Sequence, residues 1–320
     1  MKNIYLSLLI GLSIVTFAQD PHLSQFDAVK IILNPAETGM LRNADFRAAT
    51  QFRNQWGSLG SKYSTSLIAF DMPINERWGA GGYILDDDAA KTFNVFKFVG
   101  SGAYQISAPN DRYKLMAGLQ VGLMYKTLNT DKLIFDSQWG DGVFNEDLPS
   151  GENFNKDYML MPEVNIGISY INIDFNHKLN PYGGLSIFHT TKPKESFFGA
   201  KESRLPMRFQ LNGGVIYKVN DDIKLDPGVL AMMQGNAMEI VFGLKGYYKI
   251  NKEIDLLAGG YYRFDDAAIV MTGLNYKNIS FIMSYDINTS SLKQYTNGKG
   301  AFEFSLVFQG NMKKIVQSML

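Results

Sequence analysis

From Lys114 to Lys126 the chain alternates with period two: Leu115, Ala117, Leu119, Val121, Leu123 and Tyr125 share one face, and Lys114, Met116, Gly118, Gln120, Gly122, Met124 and Lys126 share the other. Such a segment is a strand with one apolar side and one small or polar side. The same split sets Phe209, Leu211, Val215 and Tyr217 against Arg208, Gln210, Asn212 and Gly214, and Met238, Ile240, Phe242, Leu244 and Tyr248 against Glu239, Gly243 and Lys245. It returns in Phe302, Phe304, Leu306 and Phe308 against Glu303 and Ser305. Counted along the chain, the pattern predicts about fourteen strands, an even number of the length that transmembrane barrels use. They lie near 44–53, 63–72, 77–86, 93–107, 113–127, 162–171, 181–190, 207–218, 223–232, 237–249, 254–264, 267–276, 279–286 and 300–309.

The connections separate a membrane barrel from a soluble sandwich, because outer-membrane barrels alternate short inner turns with longer outer loops. With the first strand running outward, the inner turns are Pro73–Glu76, Ala108–Arg112, Asn172–Asn180, Asn220–Asp222, Asn251–Glu253 and Lys277–Asn278, all but one of them short. The four longest connections, Asn54–Lys62, Leu128–Met161, Thr191–Pro206 and Ile287–Lys299, all fall outside. Tyr170, Tyr217, Tyr248 and Tyr276 end the apolar faces of inward-running strands, as an inner aromatic girdle requires, and Tyr125 and Tyr285 serve the outer one. The fold class that follows is all-β, a transmembrane antiparallel up-and-down β-barrel.

Residues 1–18 carry Lys2, an apolar run from Ile4 to Val15 and small residues at Thr16 and Ala18, the pattern of a cleavable secretory signal. The 320-residue chain contains no cysteine, which excludes disulfides, thiolate metal sites and a lipidated N-terminal cysteine. Lys plus Arg and Asp plus Glu balance at 31 each, so no net field points to nucleic acid. Residues 19–43 are irregular, with turn signals at Asn34-Pro35 and Thr38-Gly39, and suit either a plug inside the barrel or a periplasmic arm. The expected division is therefore signal 1–18, N-terminal segment 19–43, barrel 44–309 and tail 310–320.

A hydrolytic barrel needs a base or a carboxylate dyad at its outer rim. The chain has three histidines. Only His189 reaches an outer strand end, where it reads as a structural histidine; no Gly-x-Ser-x-Gly or His-Glu-x-x-His motif occurs. An enzyme is not expected, nor any cofactor or metal. Asp86-Asp87-Asp88 and Asp265-Asp266 lack the spaced oxygens and turn glycine of a calcium loop and read as a solvated acidic rim. Arg53-Asn54-Gln55-Trp56 joins an aromatic anchor to a forked cation at the first outer loop, the residue types that interface hot spots favour. Trp56 equally suits an interfacial lipid anchor. The lumen face, with Arg208, Gln210, Asn212, Glu239, Lys245, Arg263 and Glu303 among many glycines, is expected to be polar.

Specific words add to this. Gln19-Asp20-Pro21-His22-Leu23-Ser24-Gln25-Phe26, Leu33-Asn34-Pro35-Ala36-x-Thr38-Gly39, and Arg53-Asn54-Gln55-Trp56 with Tyr63-Ser64-Thr65 resemble the PorP/SprF family of the type IX secretion system. Gly81-Gly82-Tyr83 with Asp86, Leu205-Pro206-x-Arg208, Gly259-Gly260-Tyr261-Tyr262-Arg263 and Tyr285-Asp286-Ile287-Asn288 with Ser291-Leu292 look like that family too, so the resemblance spans almost the whole mature chain. It implies an outer-membrane barrel working with type IX export of large surface adhesins used in gliding or attachment, and in some relatives with a periplasmic peptidoglycan-binding protein. The tail Met312–Leu320 departs from the usual terminal aromatic, leaving Phe308 to act from an internal position.

Together these readings predict a barrel that binds the C-terminal domain of an exported adhesin through an extracellular rim of Arg53, Asn54, Gln55, Trp56, Asp86, Arg204, Arg208, Arg263, Asp265 and Asp286. A diffusion or uptake channel for small solutes is the alternative.

Overall fold

The computed structural model describes residues 20–41, 44–55, 63–109, 112–140, 143–145, 147–152, 154–174, 177–199, 203–291, 293–296 and 298–311. The expected signal, Trp56 and the tail Met312–Leu320 lie outside the described residues. The strands are β1 (Phe46–Gln55), β2 (Tyr63–Pro73), β3 (Trp78–Ala89), β4 (Phe93–Gln105), β5 (Tyr113–Leu128), β6 (Trp139–Gly140), β7 (Val143–Phe144), β8 (Tyr158–Asn172), β9 (Leu179–Phe188), β10 (Arg208–Lys218), β11 (Ile223–Gln234), β12 (Ala237–Lys249), β13 (Ile254–Arg263), β14 (Ala267–Tyr276), β15 (Ile279–Asn288) and β16 (Lys299–Gly310). All except the small β6–β7 hairpin join one closed antiparallel barrel of 14 strands, with neighbours in chain order and β1 pairing β16 to shut the ring.

The register follows the alternation. On β5, Leu119, Val121 and Leu123 are 51%, 57% and 50% exposed, while Gln120 and Met124 on the alternate face are at 0%. Apolar outside and polar inside inverts the arrangement of a water-soluble domain, and a hydrocarbon surround is the solvent that stabilises it. Rings mark the membrane boundaries: Trp78 packs on Tyr104 at 4.8 Å and Tyr113 on Tyr170 at 5.7 Å at the inner end, and Tyr125 on Tyr158 at 6.0 Å at the outer end.

The strand at 162–171 is longer than expected, beginning at Tyr158. Proline reads as a strand start because it cannot donate to a ladder. Here β5 and β8 pair through Pro162↔Leu123 out to Thr127↔Tyr158, whereas β9 pairs β8 only as far as Ile166↔Ile187. Val164 presents its carbonyl to Thr190 on the β9 side, and Pro162, two residues on, faces the same way, beyond the end of β9, so the missing N–H costs no ladder bond.

Residues 20–41 run through the lumen. They include a single helical turn, α1 (Lys30–Leu33), and a 3-10 turn at Pro35–Glu37. Leu23, Val29 and Ile31 pack on Leu67, Tyr83, Leu85 and Val99, while Phe26 and Leu33 pack on Leu230, Val241, Leu257, Tyr261 and Ile269. The lumen therefore carries apolar patches as well as the expected polar groups. It can do so because it faces a chain segment and not water.

Candidate functional site

Asn34 begins the turn that seats the segment. Its Oδ1 accepts from the Ala36 N–H at 2.9 Å, capping Pro35–Glu37, and its Nδ2 donates to the carbonyls of Ile168 at 3.0 Å and Leu185 at 3.3 Å on the barrel wall. The wall is shaved to glycine to receive it. A Cβ on Gly167 would lie 2.1 Å from Asn34 Oδ1, one on Gly118 2.2 Å from Pro35 C, and one on Gly79 2.3 Å from Thr38 O. Gly39, at φ +67, completes the close approach to Gly79.

Nearer the outer end, Ser24 and Gln25 enter a charged network. Ser24 Oγ donates to Asp286 Oδ2 at 2.7 Å and accepts from Arg53 Nη1 at 2.6 Å and Arg263 Nη2 at 2.8 Å. Arg53 also reaches Asp286 at 2.9 Å and Glu303 at 3.1 Å. The two Glu303 oxygens accept the backbone N–H groups of Ser24 at 2.8 Å and Gln25 at 2.7 Å, and Gln51 Nε2 adds a further donor at 2.7 Å. Arg53, Arg263, Asp286 and Glu303 are each at most 2% exposed.

Asp20 ends the described segment at the outer mouth. Its carboxylate meets His189 Nε2 at 2.5 Å, Lys97 at 2.8 Å and Arg208 at 3.0 Å, and His189 Nδ1 meets Glu163 at 2.8 Å. Burial alone would raise the Asp20 pKa, but His189, Lys97 and Arg208 outweigh it and hold the carboxyl well below its ordinary value. His189 is fully buried, with each ring nitrogen against a carboxylate.

Above this network the outer loops fold inward. Leu205 is buried among Val95, Met124, Met159 and Met161, and Phe197 packs edge-on to Phe93 at 6.1 Å. Lys126 pairs with Glu195. The long loop that follows β5 carries β6–β7, whose Trp139 and Val143 are 53% and 67% exposed, and Phe154 joins it to Phe198 at 4.8 Å.

Among the rim residues expected from sequence, Asn54, Gln55, Asp86, Arg204 and Asp265 lie at the outer end with at least part of their surface open. Asp86 accepts from Asn94 at 2.9 Å, a cross-strand link on the outer face, while Asp87 accepts from Thr65 at 2.6 Å on the inner one. The structure brings Arg53, Arg263 and Asp286 together, but in the buried Ser24 network, and Arg208 turns to Asp20. These four hold the chain's own N-terminal segment and present no extracellular rim. The residues that sequence reasoning missed are Asp20, Ser24, Gln25, Asn34, Lys97 and Glu163; the glycine-rich lumen face was the available sign that something fills the barrel.

Residues 15–308 match the family described as Type IX secretion system membrane protein PorP/SprF. No curated protein matches the chain. Solved structures with a similar barrel include the CymD monoaromatic hydrocarbon channel (TM-score 0.53, 11% identity, covering 89% of this chain and 93% of that one). The Pseudomonas putida toluene transporter TodX aligns at TM-score 0.52 with 9% identity over 87% and 91%, and the Ralstonia pickettii toluene transporter TbuX at 0.50 with 11% over 87% and 91%. At such identities the likeness is one of fold.

Proposed function

Since the chain belongs to the type IX secretion system PorP/SprF family of membrane proteins, we propose that it supports export and surface anchoring of adhesin-type proteins by holding their C-terminal domain against its outer loops. The observation that carries this reading is the occupied lumen: residues 20–41 are bonded to the wall at both levels, so the working surface is the outside of the mouth. A diffusion channel would need that space. Exposed Trp139, Val143 and Phe144 on β6–β7, with Asn54 and Gln55 at the outer end of β1 and Asp265 at the turn between β13 and β14, offer the aromatic and polar groups that protein interfaces concentrate. Asn54, Gln55 and Asp265 keep the place in the contact surface expected from sequence, Trp139, Val143 and Phe144 join it, and the buried Arg53, Arg263 and Asp286 leave it. At the inner face a peptidoglycan-binding protein is the expected periplasmic partner, and export through the signal at 1–18 the expected route.

The test is site-specific photocrosslinking in intact cells. A probe replacing Trp139 is expected to capture the C-terminal domain of an exported surface protein, and a probe at Ile250 on an inner turn is not. Normal surface display with no adduct from Trp139, Val143 or Phe144 would overturn the proposal.

A further inference from the structure

A second feature of the outer end lies on the lipid side of the connection between β9 and β10. His189 (φ 56) and Lys192 (φ 45) kink the chain away from β9, and it returns to β10 through Arg204 and Pro206. The returning limb is pinned: Leu205 N–H donates to Pro193 O at 3.0 Å, and Arg204 Nη1 donates to Lys192 O at 3.1 Å. Between the limb and the barrel wall lies a notch of about 360 Å³ lined by Lys192, Arg204, Leu205, Pro206, Phe209 and Met233.

Its two halves differ in chemistry. Phe209 and Met233 are cross-strand partners one residue from the outer ends of β10 and β11, on the lipid face, 41% and 49% exposed. Met238 on β12 continues the shelf at 68% exposure. On the limb, Lys192, Arg204 and Lys194, which bridges to Arg204, are exposed cations. Among the described residues none of the three pairs with a carboxylate, because the adjacent Glu195 is taken by Lys126. Cations at the water boundary above an apolar shelf in the outer leaflet match an amphiphile with an anionic head. The forked guanidinium and the point-charge ammonium suit phosphate oxygens.

We propose that this notch binds a phosphorylated outer-leaflet lipid of the lipid A class, its phosphate between Lys192 and Arg204 and its acyl chains along Phe209 and Met233. The site fixes the β9–β10 limb at the membrane surface and couples the loops over the mouth to the lipid beside them.

The test uses the full-length protein in nanodiscs, with binding of lipid A measured by native mass spectrometry. Bisphosphorylated lipid A is expected to bind about tenfold or more tighter than the same lipid without its phosphates, as charge-assisted contacts require. That comparison needs no variant. K192S/R204S, checked for a heat-modifiable barrel, is expected to lose a similar factor, and K192R/R204K to retain binding. Equal binding of phosphorylated and dephosphorylated lipid would overturn the proposal, as would a folded K192S/R204S protein that binds like the parent. Displacement of the lipid by an equal concentration of inorganic phosphate would also overturn it, since the site would then take a free anion.

Discussion

Arg53 is the cation on which the Ser24 network closes: its guanidinium faces Asp286, Glu303 and Ser24 at once, with 2% of its surface exposed. Removing one member of a buried ion pair leaves the others charged and unpartnered, which costs about 3–5 kcal/mol. Arg53→Ala is therefore expected to lower the urea midpoint of the detergent-folded barrel strongly, while Arg204→Ala leaves it unchanged; equal midpoints would refute the assignment. Asp20 gives a pH signature. Its carboxyl sits well below the ordinary 3.8, so its contribution is fully present above that value and is lost as pH falls below it. Asp20→Asn is expected to be less stable than the parent at neutral pH, with the gap narrowing below pH 3.8. A gap constant down to strong acid would show that Asp20 stays outside the His189, Lys97 and Arg208 cluster in solution.

Individual strands were readable because a wall that separates hydrocarbon from a filled lumen imposes strict period two, and parity alone sorts the faces. Phe242 is 48% exposed and points to lipid, whereas Gly243 points inward. Parity also says that serine at Gly243 should be harmless. The structure corrects this: a Cβ there would fall 2.2 Å from both Gly260 O and Tyr261 Cδ1, so Gly243→Ser is no neutral control. Gly228, whose nearest neighbour would be the Tyr261 hydroxyl at 3.4 Å, serves instead. Phe242→Arg is expected to impair outer-membrane assembly by about 2–4 kcal/mol, and Gly228→Ser to assemble normally; similar yields would mean the register of β12 is misread. Arg53 shows where legibility stopped. It alternates with Phe52, so its inward direction was available, but whether an inward arginine meets water or protein depends on Ser24, Asp286 and Glu303, distant in sequence. An irregular segment such as 20–41 has no period by which those partners could be found.

For the molecule as a whole, the fit between plug and wall governs permeability. In planar bilayers the parent protein is expected to show no steady large conductance, because the segment 20–41 fills the lumen and Leu205 sits over it. Gly118→Val places side-chain atoms where Ala36 N and Pro35 C now lie, each 2.2 Å from a built Cβ, and is expected to unseat the turn and raise conductance. A steadily open parent channel would contradict the filled barrel and revive the solute-channel alternative. The position of the plug also bears on the order in which the molecule is made. Ser24 and Gln25 are bonded to Arg53 and Gln51 on β1 and to Glu303 and Ser305 on β16, the two strands whose pairing shuts the ring. A cylinder narrowed at its mouth is hard to fill after it is sealed, so the ladder between β1 and β16 is expected to form around a segment already inside. On that order Ser24 and Gln25 serve as a jig against which β16 is laid beside β1.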